Sequence, residues 1–162
     1  MDGKTIKTPY QNQLAFPSLR MAFLVANEFN RQEKYLKTGE MPLLAMSRTA
    51  VDADIEGNLA VHLRTTVTEY LKTDTILFTD ECFEEEHNKQ AKPLISFFSD
   101  KFKLKLEPST SIATPLVEIN PNFEHWLNNL NNWQLIGLET MTIWMRSTIS
   151  AVAAVESSFP TD

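Results

Sequence analysis

The stretch YLKTDTILF, residues 70–78, decides how this chain is read. Its first three residues complete an amphipathic helix, and Ile76-Leu77-Phe78 reads as the start of a buried strand. Between them stand Thr73, Asp74 and Thr75, with no Gly or Pro to break the helix. Short polar side chains of this kind hydrogen-bond nearby backbone N–H groups, so T-D-T can close one element and open the next within three residues. On this reading Asp74 serves the turn rather than chemistry.

Outward from that turn the pattern is mainly helical. Pro17-Ser18 opens a helix with Met21, Leu24, Val25 and Phe29 on one stripe. Pro42 starts another through Leu43, Leu44 and Met46. From about Gly57, the residues Leu59, Leu63, Val67, Tyr70 and Leu71 recur at spacings of three and four. Residues 84–100 place Ala91, Leu94, Ile95 and Phe98 on one face, with Pro93 expected to kink or split that helix. KFKLKLE, 101–107, alternates strictly and reads as the clearest strand. A short helix at 123–130 is followed by one long buried helix from about 133 to 156. At the other end, Lys4–Lys7 and Gln13–Phe16 read as short strands, with Asp2-Gly3 as a hairpin turn. The expected fold class is therefore α+β: a small β-rich N-terminal part, residues 1–16, then a mainly helical domain, 17–162, with a long buried C-terminal helix. The opening turn leads to the expectation that 1–16 is the remnant of a larger β-rich part.

Composition narrows the function. The chain has 162 residues, a net charge of −6, three Trp, ten Phe and one cysteine. A chain of this length can bury roughly two thirds of its unfolded surface. The negative charge argues against general nucleic-acid binding, which replaces phosphate counterions with clustered Lys and Arg. Cys82 alone can form no internal disulfide, which suits a reducing or matrix-like compartment. The first thirteen residues match neither a signal peptide nor an Arg-rich transit peptide. Residues 135–155 have the length of a membrane span, but Glu139, Arg146 and several Ser/Thr argue against insertion.

Motifs for chemistry are sparse. Four glycines, none near another, exclude a Gly-rich phosphate loop, so no nucleotide cofactor is expected. Asp52-x-Asp54-x-Glu56-Gly57 resembles the first half of a calcium loop, but the twelfth position, which needs a bidentate Glu, is Leu63. His62, His87 and His125 lie on three separate segments, and Cys82 with His87 supplies two ligands where zinc wants four. Glu84-Glu85-Glu86 suits the positive end of a helix. An alternative reading assembles a small hydrolase or transferase site from Asp52, His62 and Asp74; another makes the chain a generic protein-interaction domain.

Four stretches together carry a family resemblance: MDGKTIKTP (1–9), MPLLAMSRTAVD (41–52), YLKTDTILF (70–78) and NWQLIGLETMTIWMRS (132–147). In order and spacing they resemble the chaperones that assemble the catalytic head of ATP synthase, the mitochondrial F(1)-ATPase assembly factor 2 type that handles the alpha subunit. The resemblance implies no enzyme activity, no cofactor and no metal. It implies a monomer in the mitochondrial matrix, its import segment absent from this chain, that covers the apolar interface of a free alpha subunit until the beta subunit replaces it. It also implies strands ahead of the D-G turn and a further acidic segment beyond the long helix. Because aromatics and Arg dominate binding hot spots, Glu139, Arg146, Trp133 and Trp144 are the expected partner-binding residues.

Overall fold

A computed structural model describes residues 5–79, 82, 84–110 and 117–158. Seven α-helices account for most of them: α1 Leu19–Asn30, α2 Pro42–Ile55, α3 Gly57–Lys72, α4 Glu84–Phe102, α5 Pro121–Asn129, α6 Asn132–Met145 and α7 Thr148–Ser158. The chain forms two compact units, Met1–Val61 and His62–Asp162, with the boundary inside α3.

The first unit is built around α1 and α2. Ser18 caps α1 by accepting a hydrogen bond from the Met21 N–H at 3.2 Å. Val25, Met41 and Leu44 form a buried cluster, lined by Leu14, Phe16, Met21, Phe29 and Leu43. Leu24, placed on the inward stripe by spacing, instead faces out with Leu19 and Phe23. The inward position goes to Glu28, which is buried. Its two carboxylate oxygens accept hydrogen bonds from the Leu43 and Leu44 N–H groups, each at 2.8 Å. Pro42 occupies the first turn of α2 and has no N–H to satisfy, so Glu28 takes the next two orphan donors and places negative charge at the positive end of the helix. Near the other end of α2, Asp52 is buried and accepts hydrogen bonds from the Thr8 hydroxyl and the Asn12 side-chain amide. That contact joins the first two of the four family-like stretches.

The N-terminal part is not β-rich, and the α+β expectation is corrected: among the described residues there is no strand, only the isolated bridges Lys7 to Gln13 and Phe78 to Ser109. Between Lys7 and Gln13 the chain closes on itself, with Gln11 in the left-handed region at φ 66° and the Thr8 N–H donating to the Asn12 carbonyl. The Asp2-Gly3 turn lies outside the described residues. Ile76-Leu77-Phe78 is not a strand either. The Leu77 N–H donates back to the Asp74 carbonyl and the Phe78 N–H to the Thr75 carbonyl, which winds Thr75–Leu77 into a single tight turn.

KFKLKLE is also corrected. Its first two residues end α4, and Lys103 turns the chain at φ 56°. The Leu104 N–H then reaches back to the Ser99 carbonyl at 3.2 Å, a Schellman-type stop. The alternation itself is real: Phe102, Leu104 and Leu106 are buried while Lys103 and Lys105 are exposed. It records which side faces in, without a neighbouring chain to complete a sheet.

In the second unit α7 packs against α4 and α6. α4 runs through Pro93 without a break in its helical span, and Pro93 is exposed. Its C-terminal carbonyl at Phe102 accepts from the Asn120 and Asn122 side chains at 2.7 and 3.2 Å, while Asn120 also caps α5 through the Phe123 N–H. Phe98, Phe102, Phe123 and Trp126 bring their rings together around this joint, with centroids 4.7–6.0 Å apart. Lys101 pairs with Glu156 of α7 at 2.9 Å.

Glu28 sets the entry of α2, so Glu28→Ala is expected to cost about 2–3 kcal/mol of stability and Glu28→Gln, which keeps one acceptor, about half of that. Urea denaturation of the two variants checks this. An unchanged midpoint for Glu28→Ala would remove the capping role.

Candidate functional site

The expected single C-terminal helix is two helices, and the break between them carries the most exposed large apolar side chain among the described residues, Trp144. α6 begins at a reciprocal capping box: Asn131 accepts from the Gln134 N–H at 2.9 Å, and the Gln134 side chain accepts from the Asn131 N–H at 3.1 Å. Leu135, Ile136, Leu138 and Thr142 form its buried side. It stops at Arg146, which adopts the left-handed conformation at φ 52°, ψ 27°. The Ser147 N–H then reaches back to the Thr142 carbonyl at 3.2 Å. This is a Schellman stop with arginine where glycine is usual. α7 starts at once, with Ser147 as its cap: the Ser147 hydroxyl oxygen accepts from the Ser150 N–H at 3.0 Å.

The T-D-T segment holds this break from a distance of more than seventy residues. Asp74 is fully buried. One of its oxygens accepts from the Ile149 N–H, in the first turn of α7, at 2.9 Å; the other accepts from the Ile76 N–H at 3.2 Å. The Thr75 hydroxyl donates to the Arg146 carbonyl at 3.0 Å. Beside them Thr148 donates its hydroxyl to the Val67 carbonyl of α3 at 2.9 Å. Burial pushes the Asp74 carboxyl above its ordinary value of 3.8, and the Ile149 N–H, the Ser147 hydroxyl and the Ile76 and Thr148 N–H groups pull it part of the way back.

The result is a knuckle whose surface carries Ile143, Trp144, Met145 and Arg146. Trp144 is 84% exposed, and Ile143 and Met145 are 40% and 45% exposed. Of the expected binding residues, Trp144 and Arg146 therefore lie together at the knuckle, and Trp133 is half-buried at the far end of α6. Glu139 sits midway along α6, also half-buried. Burial raises its carboxyl, and the charge of His62 on α3 works against that rise. Spacing along one continuous helix missed Ile143 and Met145 because it could not show where the helix stops. The signal was Ser147, a capping residue directly after Arg146.

The alternative catalytic set divides between the units, with Asp52 in the first and His62 and Asp74 in the second. Asp52 and Asp74 are each buried and engaged by separate donors, and His62 is exposed. The calcium-like run is helical through Ile55, and among the described residues no group of three or more His, Cys, Asp or Glu could hold a metal ion. No helix among the described residues is long and apolar enough to cross a membrane.

The second unit thus buries Asp74 and presents an apolar knuckle tipped by Arg146. Comparison with known proteins agrees on the fold. The structure superposes on Atp12 from Paracoccus denitrificans with a TM-score of 0.78 at 16% identity, covering 96% of this chain and 68% of that one. A point mutant of the same protein gives a TM-score of 0.78, also at 16% identity, with 95% and 67% covered. The Atu1473 protein of Agrobacterium tumefaciens gives a TM-score of 0.84 at 20% identity, covering 98% of this chain and 61% of that one. A family model described as ATP12 chaperone protein matches residues 1–99, more than half of the sequence. The chain belongs to the ATP12 chaperone family, as the four sequence stretches led one to expect.

Three outcomes follow from the knuckle. Arg146→Gly relieves a left-handed side chain and is expected to raise stability by about 1 kcal/mol, read as a higher denaturation midpoint; a lowered midpoint would contradict the strain. Asp74→Ala strips two N–H groups of their acceptor and is expected to cost about 2–4 kcal/mol. Asp74→Asn costs less, with a particular pH dependence. The folded-state carboxyl titrates above its unfolded value, so its contribution is full below the unfolded value and falls as pH rises through the folded one. The stability gap between wild type and Asp74→Asn should thus narrow as pH rises above the ordinary carboxylate range, and a widening gap would contradict the account.

Proposed function

We propose that this chain is an assembly chaperone for the F(1) sector of ATP synthase, which binds the free alpha subunit and covers its interface until the beta subunit takes its place. The family match over residues 1–99 carries the reading. The exposed Ile143, Trp144 and Met145 beside Arg146 support it, since they offer what a transient interface needs. A free subunit of a multi-subunit head exposes apolar surface meant for its neighbour, and such surface aggregates or mispairs. A chaperone that competes for the same surface with moderate affinity protects it and still yields to the correct partner. No reaction is assigned to the chain. The compartment in this reading is the mitochondrial matrix, to which the single cysteine is suited.

The binding residues in this reading are Glu139, Arg146, Trp133 and Trp144. Charge reversal at the half-buried Glu139 probes the reading, because it reverses a charge on the helix that carries Trp133 and Trp144. Glu139→Lys is expected to weaken capture of isolated alpha subunit at least tenfold, while added beta subunit displaces alpha from the wild-type chain. Capture unchanged in Glu139→Lys would remove this residue from the interface. Failure of the wild-type chain to bind alpha subunit would overturn the reading.

A further inference from the structure

α6 carries a glycine that the described part of the molecule does not need. Gly137 is in mid-helix without a positive φ, and a Cβ added there would meet nothing within 4 Å. Glycine at such a position costs about 1 kcal/mol relative to alanine. Neither backbone conformation nor internal packing among the described residues requires it. What a missing Cβ still provides is room for another backbone to come close.

The surroundings of Gly137 point to what would come. At about 100° per residue, positions 133, 137, 140 and 144 fall within about 60° of one another. Trp133, Gly137, Thr140 and Trp144 therefore form one stripe, opposite the buried Leu135, Leu138 and Thr142. The stripe is large at both ends and small in the middle, at Gly137 and Thr140, a saddle along the helix. Just past Trp144 stands exposed Arg146, whose guanidinium has no ion-pair partner among the described residues.

We infer that this saddle seats an α-helix of the client, crossing α6 at Gly137 with a small residue facing it and a carboxylate near Arg146. The inference rests on the client-binding reading above and specifies its contact. A strand would draw its hold from an exposed sheet edge, and no sheet exists among the described residues. A helix needs only a groove, and a glycine lets two helix backbones approach closely. Charge argues against a second copy of this chain as the occupant. Antiparallel self-pairing would bring Arg146 to residues 128–132, NNLNN, which offer no carboxylate, and parallel pairing would set Arg146 against itself.

The test uses effects of opposite sign. Because a Cβ added at Gly137 would meet nothing within 4 Å among the described residues, Gly137→Ala should raise the melting temperature by a few degrees. The same methyl group should weaken binding of isolated alpha subunit at least fivefold, and Gly137→Leu and Arg146→Glu should weaken it further. Binding by Gly137→Ala and Gly137→Leu within twofold of wild type overturns the saddle while leaving the chaperone reading intact. No binding by the wild-type chain overturns both. A wild-type dimer in sedimentation that Gly137→Leu dissolves assigns the face to a second copy and also overturns the proposal.

Discussion

The hydrogen bond from the Ile149 N–H to the buried carboxylate of Asp74 is the constraint on which the second unit depends. A carboxylate out of water is expensive, and it survives there only when donors replace the lost solvent. Here the donors are the first turn of α7 and the turn that follows Asp74 itself, with the positive end of α7 favouring the charge. The arrangement ties the end of α3 to the point where α6 stops and α7 begins. Together with the Ser147 N–H on the Thr142 carbonyl and the Thr75 hydroxyl on the Arg146 carbonyl, it holds Arg146 in a conformation that arginine disfavours. The exposed Trp144 and its neighbours owe their position to that stop.

Similar devices recur in the first unit. Glu28 caps α2 from across the α1–α2 joint, and Asp52 gathers Thr8 and Asn12. Three buried acidic residues, Glu28, Asp52 and Asp74, thus act as internal fasteners. Reasoning about Asp74 as turn chemistry reached part of its role. Local hydrogen bonding explains the Ile76 contact. The longer reach to Ile149, seventy-five residues away, has no trace in local sequence.

The same division governs what could be read from the sequence. Periodicity within one element was legible: Leu63, Val67 and Leu71 on α3, and Ala91, Ile95 and Phe98 on α4, are buried as their spacing demands. Features set by a partner elsewhere in the chain were not. Phe102, Leu104 and Leu106 alternate as a strand would, yet a strand needs a neighbour, and Lys103 turns the chain instead. Arg146 ends α6 without glycine or proline because the Thr142 and Arg146 carbonyls find donors in Ser147 and Thr75. Leu24 yields the inward face to Glu28 because α2 needs an acceptor there more than the core needs another leucine. Of the expected binding residues, Trp144 and Arg146 are exposed and Trp133 and Glu139 are half-buried. Exposure depended on the helix break, which only the assembled structure supplies.

If Asp74 fastens the α6–α7 break as described, the Ile149 amide is among the best protected in the second unit. Native-state hydrogen exchange measures this directly. The account predicts that Ile149 exchanges as slowly as the buried core amides of α7, such as Val152, and opens only with the unit as a whole. Exchange of Ile149 at the rate of a frayed helix end, with Val152 still protected, would contradict it.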